Sequence, residues 1–316
     1  MLHIGRQKTG TTSVQSMLLD NQSLLSAHGV WYASTGRDGE KAHHALARLL
    51  NPAQSHGSEL REVKLAFDRE VESRPEELIV VSSEGFQNIE DHSRVREFFS
   101  GYRLIVVCYL RECLAWKQSA YAQLVHAQRY WGQFVPYALG FDLDYAGFCE
   151  AWESVADDFH PVLFERRRLL GNDVVSDFLH RIGADLEPDV LQRLTRFREN
   201  PSLGGNLLYF KLLVNMAHEN HRSFRHHYGV LARLAAEEPR WREKWFVSDV
   251  DARRIRRVDR DSNRYLERRF GEVRMVDTTA YPAMPDQDTL STDISRILST
   301  SELQDALRPL GLGPSR

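Results

Sequence analysis

The chain has 316 residues, of which 42% are hydrophobic, and it carries a formal net charge of −3. That length allows one large α/β domain or two modest ones, and the weak negative charge argues against a nucleic-acid-binding surface. No apolar run approaches the roughly 18 residues that span a bilayer, and the glycine-containing stretch follows Met1 too closely for a signal peptide. The cysteines show no metal-type pairing. We expect a cytoplasmic protein without stable membrane insertion.

Apolar runs predict four strands, of which the first is the shortest. It covers residues 2–5 and leads through a glycine-containing loop into a helix from Thr12 to about His28. The other three runs are nearly continuous, which is typical of strands covered on both faces in a parallel sheet. They span residues 77–84, 102–112 and 159–165. A helix over 173–182 follows the last strand and ends at Gly183, as helices often do.

Strand–helix alternation over residues 1–185 predicts an α/β fold, with a P-loop-like, doubly wound parallel sheet flanked by helices. From 186 to 278 the pattern is mostly helical, and we expect a helical C-terminal extension rather than an independent unit. Residues 1–278 are therefore predicted to form a single domain, and residues 279–316 a polar C-terminal tail. The helical segments expected in the extension lie near 203–221 and 249–270.

The stretch HIGRQKTGTT, at positions 3–12, nearly matches the phosphate loop of nucleotide-binding enzymes. A glycine turn between a strand and a helix amino terminus presents backbone N–H groups to an anion, and the helix dipole adds positive potential. The stretch therefore predicts a phosphate site, although a tight turn capped by a threonine is the alternative. The expected phosphate-binding residues are Lys8, Thr9, Gly10, Thr11, Thr12 and Ser13.

The position of the lysine distinguishes this loop from a triphosphate site. There, lysine follows the second glycine and a strand-end aspartate assists a magnesium ion. Here Thr11 follows the second glycine, Lys8 lies inside the loop, and the second and third predicted strands end in Ser82-Ser83-Glu84 and Leu110-Arg111. An arginine in place of the metal's acid predicts that side-chain cations, rather than a metal, neutralise the phosphate.

A second anion site is predicted after the third strand, in the stretch YLRECLAWKQSAY. Arg111 leaves the strand, and Ser119 lies eight residues further on, about two turns into the following helix. A guanidinium and a hydroxyl that converge from a strand end and its helix can clamp a terminal phosphate. The alternative is an arginine paired with Glu112 and a serine on an exposed helix face.

Two segments of the sequence, taken together, resemble those of a known protein family. HIGRQKTGTTSVQ, followed about a hundred residues later by YLRECLAWKQSAY, resembles the sulfotransferase family that uses 3′-phosphoadenosine 5′-phosphosulfate (PAPS). HPVLFERRRLLGNDVVSDFLHRIG is similar to the family's later strand and helix, and RENPSLGGNLLYFKLLVN to a stretch common in its bacterial members. The resemblance covers most of residues 1–215. In one departure, Glu112-Cys113 stands where the family often has Asp-Pro.

The resemblance implies a role for each motif residue. Lys8 would contact the sulfuryl group and the bridging oxygen, and residues 9–13 would bind the 5′-phosphate. Arg111 and Ser119 would bind the 3′-phosphate, which distinguishes PAPS from adenine nucleotides that lack it. Further nucleotide contacts are implied for Asn200 and Ser202.

Sulfuryl transfer to a hydroxyl or amine also needs a base for the acceptor's proton. Glu84, after the second strand, is the first candidate, because the resemblance places a histidine or glutamate base just after the corresponding strand. Carbohydrate-modifying members of the family use glutamate. His43 and His44 are the alternatives, and adjacent residues on a helix point about 100° apart, so only one of them can face a site.

The sequence thus predicts a PAPS-dependent sulfotransferase that needs no metal and releases 3′-phosphoadenosine 5′-phosphate. The expected acceptor is a small molecule or glycan, in particular a carbohydrate or lipid-linked glycan. A P-loop kinase with an irregular phosphate loop and a non-catalytic nucleotide-binding protein of the same fold are the alternatives. The identity of the acceptor and the oligomeric state stay open.

Overall fold

A computed structural model of the chain describes residues 1–52, 57–128, 130–184, 186–195, 202–217, 228–243, 247–278 and 287–307. By their contacts, the residues divide into two compact units that interleave along the chain. Unit 1 comprises Met1–Arg111, Asp144–Glu199 and Arg268–Gly271. Unit 2 comprises Glu112–Leu143, Asn200–Glu267 and Glu272–Arg316.

Unit 1 contains a parallel sheet of five strands, flanked by helices. The strands are β1 (Leu2–His3), β2 (Val30–Tyr32), β3 (Leu78–Ser82), β4 (Ile105–Leu110) and β5 (Asp158–Leu163). Their spatial order is β2-β3-β1-β4-β5, and every pair of neighbours runs parallel. The predicted α/β fold with a parallel sheet is confirmed, because the nearly continuous apolar runs do form strands inside the sheet.

The helices of unit 1 surround this sheet. They are α1 (Thr11–Asp20), α2 (Gln22–Ser26), α3 (His44–Leu50), α4 (Gly57–Glu72) and α5 (His92–Phe98), followed after a segment of unit 2 by α8 (Tyr145–Glu153), α9 (Val174–Arg181) and α10 (Pro188–Arg193). The predicted helix over 173–182 is α9, whose N-terminus is capped by the carboxylate of Asp173 and which is followed by Gly183 in a left-handed conformation. The single helix expected from Thr12 to His28 is divided at Asn21 into α1 and α2.

Unit 2 is helical throughout its described parts. Its helices are α6 (Cys113–Gln128), α7 (Phe134–Leu139), α11 (Gly205–Ala217), α12 (Tyr228–Glu237), α13 (Asp249–Val258), α14 (Arg260–Phe270, which ends in unit 1), α15 (Gln287–Leu298) and α16 (Ser301–Leu307). The predicted segments near 203–221 and 249–270 correspond to α11 and to α13 with α14, and residues 218–221 lie outside the described residues. The segment 112–143, expected within the 1–185 core, belongs by its contacts to unit 2.

The stretch predicted as a polar tail, 279–316, contains two amphipathic helices. Ile297 in α15 and Leu303 in α16 are buried in the hydrophobic core of unit 2. Isolated apolar positions in a polar segment are enough to anchor a helix when they recur on one face. Residues 308–316, at the expected frayed end, lie outside the described residues.

A buried ion pair connects two helices of unit 2. Nζ of Lys117 in α6 lies 2.8 Å from Oδ2 of Asp259, and both side chains are inaccessible to solvent. Nζ also donates to the carbonyl oxygens of Ala138 and Phe141, at 2.8 and 2.6 Å. Burial raises the pKa of Asp259, although Lys117 opposes that shift. Lys117 is thus a structural cation inside the YLRECLAWKQSAY stretch.

No helix among the described residues is long and apolar enough to cross a membrane.

In unit 1, the carboxylate of Glu70 on α4 fixes the loop that follows β2. It accepts hydrogen bonds from the indole N–H of Trp31 at 2.7 Å and from the main-chain N–H groups of Ser34 and Thr35 at 2.7 and 2.8 Å. The hydroxyls of Ser34 and Thr35 donate as well. Burial by itself raises the pKa of Glu70, but the hydrogen bonds outweigh it and lower the pKa from 4.5 to about 2.

This network predicts that Glu70→Gln destabilises the protein by about 2 kcal/mol at pH 7, because an amide cannot accept from all of these donors. A depressed carboxyl pKa stabilises the folded state above pH 4.5, and this stabilisation is lost as the pH falls toward about 2. Urea unfolding should therefore show a smaller difference between variant and parent at pH 3.5 than at pH 7. Glu62→Gln, on the exposed face of the same helix, is the control and should be nearly neutral; an equal effect of both variants would contradict the role of Glu70.

Candidate functional site

The short central strand β1 brings three sequence motifs to one edge of the sheet in unit 1. His3 lies opposite Ser82 of β3 and Val107 of β4. Because all strands are parallel, the glycine-containing loop after β1, Glu84 after β3 and Arg111 after β4 leave from the same, carboxyl edge. Ligands of open α/β sheets bind at such an edge, where neighbouring connections diverge in direction.

Two glycines let the loop after β1 fold tightly against its surroundings. A Cβ atom on Gly5 would lie 2.3 Å from the side chain of Thr11 and 2.9 Å from Nε2 of His3. Gly10 has φ of 82°, and a Cβ atom there would lie 2.9 Å from the side chain of Val174 in α9. Glycine is therefore required by space at the first position, and by both space and backbone conformation at the second.

Lys8 adopts a left-handed backbone conformation that is uncommon for a residue with a side chain, with φ of 67°. Such a conformation costs about 1 to 3 kcal/mol and concentrates at functional sites. The loop is held by the Thr9 hydroxyl, which donates to the carbonyl oxygen of Arg6, and by the guanidinium of Arg6, which lies 4.5 Å from the ring centre of Phe148. These contacts of Arg6 and Thr9, on either side of Lys8, hold its backbone in the strained conformation.

The amino terminus of α1 follows directly. Thr11 is the first helical residue, and the cap is Gly10, which makes no side-chain capping hydrogen bond. The alternative of a threonine-capped turn is therefore not what the structure shows. The first main-chain bond of the helix runs from N of Val14 to O of Gly10, so the amides of residues 11–13 belong to the first turn, where helix geometry provides no partner. Thr12 is exposed and Ser13 half-buried beside them.

Arg111 connects the end of β4 to the glycine loop. Its guanidinium donates to the carbonyl oxygen of Lys8 at 3.2 Å and lies 5.9 Å from the ring centre of Phe164. Its own carbonyl oxygen accepts from the hydroxyl of Tyr145 at 2.7 Å. The predicted 3′-phosphate arginine and the predicted sulfuryl lysine are thus brought together through the lysine's main chain.

The remaining predicted nucleotide contacts lie elsewhere in the chain. Ser119 is in α6 of unit 2 and only 2% exposed, and the half-buried Ser202 precedes α11. Asn200 lies outside the described residues. The pairing of Arg111 with Ser119 stays a prediction. Glu112, at the start of α6, accepts from the main-chain N–H of Ala115 at 2.8 Å.

Glu84 begins a 3₁₀ turn (Glu84–Asn88) at the carboxyl end of β3, and its side chain is 24% exposed. Oε2 accepts from Nε2 of Gln15 in α1 at 2.9 Å. Oε1 lies 3.9 Å from Nε2 of His44, the first residue of α3. The structure therefore places the first base candidate next to the helix that starts at the glycine loop.

The two histidines differ completely in their surroundings. His43 is fully buried; its Nδ1 accepts from the N–H of Ser82 at 3.1 Å, and its Nε2 lies 3.0 Å from the carbonyl oxygen of Ala33. Burial lowers the pKa of His43 to about 3. With both ring nitrogens engaged by main chain, His43 is a structural residue, and its geometry disfavours a role as base. His44 is the histidine that faces Glu84.

Sequence reasoning missed Gln15 and Ser83. Gln15 lies three residues after Thr12 and is 4% exposed, and Ser83 hydrogen-bonds to His44. Neither belongs to a motif with a recognisable spacing, since their partners are dozens of residues away. For Gln15 the only available signal was a polar residue inside a predicted helix, next to Val14.

Among the described residues, no group of three or more histidine, cysteine, aspartate or glutamate side chains is arranged to hold a metal ion. No protein-family model, curated protein or solved structure matches the chain. The function is therefore inferred from the residues and their geometry.

The packing of the loop predicts different effects for two glycines with the same backbone conformation. Gly29 has φ of 77° but open space around its Cα, whereas a Cβ on Gly10 would press against Val174. Gly29→Ala should cost about 1 kcal/mol, the left-handed penalty alone. Gly10→Ala should cost roughly 3 kcal/mol, because overpacking adds to that penalty. Urea unfolding measures both, and equal losses would show that the loop does not press against α9.

Proposed function

We propose that this protein is a PAPS-dependent sulfotransferase with a P-loop-like phosphate site. The proposal rests on the groups that lie together at the carboxyl edge of the sheet. These are the glycine-containing loop with Lys8, the guanidinium of Arg111 hydrogen-bonded to that loop, and the carboxylate of Glu84 at the end of the neighbouring strand β3. Cations with a carboxylate suit a reaction that neutralises a phosphate and accepts a proton.

The residues present fit an anionic phosphosulfate group. The loop has no side chain at Gly5 or Gly10, and its backbone leads into the first-turn amides of α1, as an anion site at a helix amino terminus requires. An arginine rather than an aspartate follows β4, which supports neutralisation by side chains rather than by a magnesium ion. PAPS, when bound, would supply the sulfuryl group and the phosphate that leaves with it.

The proposed reaction is an in-line displacement at sulfur. Glu84 takes the proton from the acceptor's hydroxyl or amine as the new bond to sulfur forms. The bond between sulfur and the bridging oxygen breaks, and its electron pair stays on the nucleotide phosphate. Lys8 stabilises the charge that develops on that oxygen. Atoms and charge balance with 3′-phosphoadenosine 5′-phosphate as the second product.

The resemblance to bacterial members of the sulfotransferase family supports the remaining assignments. We propose that residues 9–13 bind the 5′-phosphate and that Arg111 and Ser119 bind the 3′-phosphate, with Asn200 and Ser202 adding contacts. The acceptor in this proposal is a carbohydrate or lipid-linked glycan, the reaction needs no metal, and the enzyme works in the cytoplasm.

Nucleotide binding tests the proposal directly. Calorimetry should show that the protein binds 3′-phosphoadenosine 5′-phosphate at least tenfold more tightly than adenosine 5′-phosphate or magnesium ATP, because only the first carries a 3′-phosphate. Equal or tighter binding of magnesium ATP would favour the kinase alternative. A protein that binds the bisphosphate but transfers no sulfuryl group from PAPS, either to water or to a mixture of neutral mono- and disaccharides, would favour the non-catalytic alternative.

Substitution of the loop lysine tests its chemical role. Lys8→Ala should lower the rate of PAPS turnover by about 10² to 10³, the usual effect of removing one group that stabilises developing charge. It should leave the urea unfolding midpoint close to the parent's, since the hydrogen bond from Arg111 goes to the main-chain oxygen of residue 8. Arg61→Ala, which removes an exposed cation on α4 of the same unit, is the control and should turn over like the parent. Normal turnover of Lys8→Ala would remove this residue from the mechanism.

A further inference from the structure

Two nitrogen groups, the amide of Gln15 and the imidazole of His44, flank the carboxylate of Glu84. Nε2 of Gln15 lies 2.9 Å from one oxygen, and Nε2 of His44 lies 3.9 Å from the other. The two groups come from different helices, α1 and α3. Together they define the direction in which Glu84 presents its remaining lone pairs.

Gln15 is fixed by a chain of buried polar groups. Its Nε2 also lies 3.3 Å from the hydroxyl oxygen of Ser82, which in turn lies 2.8 Å from Nδ1 of His3. Burial lowers the pKa of His3 to about 3, so its ring is neutral. A carboxylate only accepts hydrogen bonds, so the NH₂ group of Gln15, and not its oxygen, must face Glu84.

Ser83 contacts the other ring nitrogen of His44. The Ser83 hydroxyl oxygen accepts from the N–H of Gly85 at 3.0 Å, and it lies 2.8 Å from Nδ1 of His44. When the hydroxyl donates its hydrogen to Nδ1, the ring hydrogen of His44 is on Nε2, the nitrogen that faces Glu84.

The distance from His44 to Glu84 is longer than a hydrogen bond. The start of α3 is held close to the 3₁₀ turn that carries Glu84. A Cβ atom on Gly85 would lie 3.0 Å from the side chain of Ala47. His44 and Glu84 therefore sit on elements that are already in contact.

From this geometry we infer that Gln15 and His44 are positioning residues for Glu84, and that Ser83 sets the tautomer of His44. The inference rests on the proposed sulfotransferase function, in which Glu84 is the base. Gln15 and His44 orient the carboxylate toward the acceptor's proton. Gln15 carries no charge, and Nε2 of His44 lies 3.9 Å from the carboxylate, so neither forms a close ion pair with it.

Two substitutions of His44 separate this role from a merely structural one. In His44→Gln, the amide nitrogen replaces Nε2 and still donates to Glu84, but the contact with Ser83 is lost. In His44→Asn, the shorter amide replaces Nδ1, keeps the contact with Ser83 and loses the donor to Glu84. A structural role through Ser83 and a positioning role through Glu84 therefore predict opposite orders of activity.

The experiment measures steady-state release of 3′-phosphoadenosine 5′-phosphate from PAPS, with a mixture of neutral mono- and disaccharides as acceptor probes. His44→Asn should lower kcat by about tenfold or more, as the loss of a partner behind a working group does. His44→Gln should stay within about threefold of the parent, and KM for PAPS should change little in either. Equal losses, or a larger loss in His44→Gln, would overturn the positioning role of His44.

Gln15→Met provides the second arm, since methionine keeps the length of the side chain and removes the donor. It should also lower kcat at unchanged KM for PAPS, and a kcat equal to the parent's would overturn the role of Gln15. In a Glu84→Gln background, neither His44→Asn nor Gln15→Met should lower the rate further. Absence of PAPS turnover in the parent would overturn the proposed function itself, so the two failures are distinguishable.

Discussion

The pairing of β1 with its two neighbours is the interaction on which the site depends. The strand is only two residues long, yet its main chain bonds to both sides. N of Val81 donates to O of Met1 at 3.0 Å, N of Ser83 to O of His3 at 3.1 Å, and N of Ile4 to O of Val107 at 3.0 Å. These bonds fix the relative positions of the three loops that follow β1, β3 and β4, although the strands are far apart in the sequence. A shift of β1 by one residue would reverse the direction of its side chains and remove His3 from the network.

A buried polar chain connects that pairing to the carboxylate. His3, Ser82, Gln15 and Glu84 follow one another through hydrogen bonds, from β1 to β3, to α1 and back to the end of β3. Polar networks in a low-dielectric interior select one arrangement, since each member left unpaired is costly. The helix that begins at the glycine loop is therefore connected to the carboxylate through the hydrogen bond from Gln15.

The sequence predicted the parts of this architecture that have strong local patterns. Strands β3, β4 and β5 are recognisable as apolar runs, and the glycine loop as a motif. Strand β2, with three residues, is too short for periodicity to distinguish it from a loop, and its position is instead set by pairing with β3. The helices α15 and α16 were not recognised from the sequence because few of their residues are apolar.

The contacts of the candidate site were less predictable than its residues. Lys8, Glu84 and Arg111 were identified by type and position, but the hydrogen bond between Arg111 and the main chain of Lys8 joins residues 103 positions apart. Gln15 and Glu84 are separated by 69 positions. Such partners depend on strand order and register, which no local spacing contains, and the burial of His43 beside the half-exposed His44 likewise depends on how α3 packs.

The surroundings of Glu84 suit the role of base that we propose for it. A lysine or arginine in direct contact would favour the ionised carboxylate strongly and thereby weaken its hold on a proton. A carboxylate with no partner would be free to turn away, and in a less polar site it would be prone to protonation. The arrangement around Glu84 lies between these extremes, with the amide of Gln15 on one oxygen and the imidazole of His44 3.9 Å from the other. In the proposed reaction Lys8 and Arg111 act on the departing nucleotide and Glu84 acts on the acceptor, so that one edge of the sheet serves both charges.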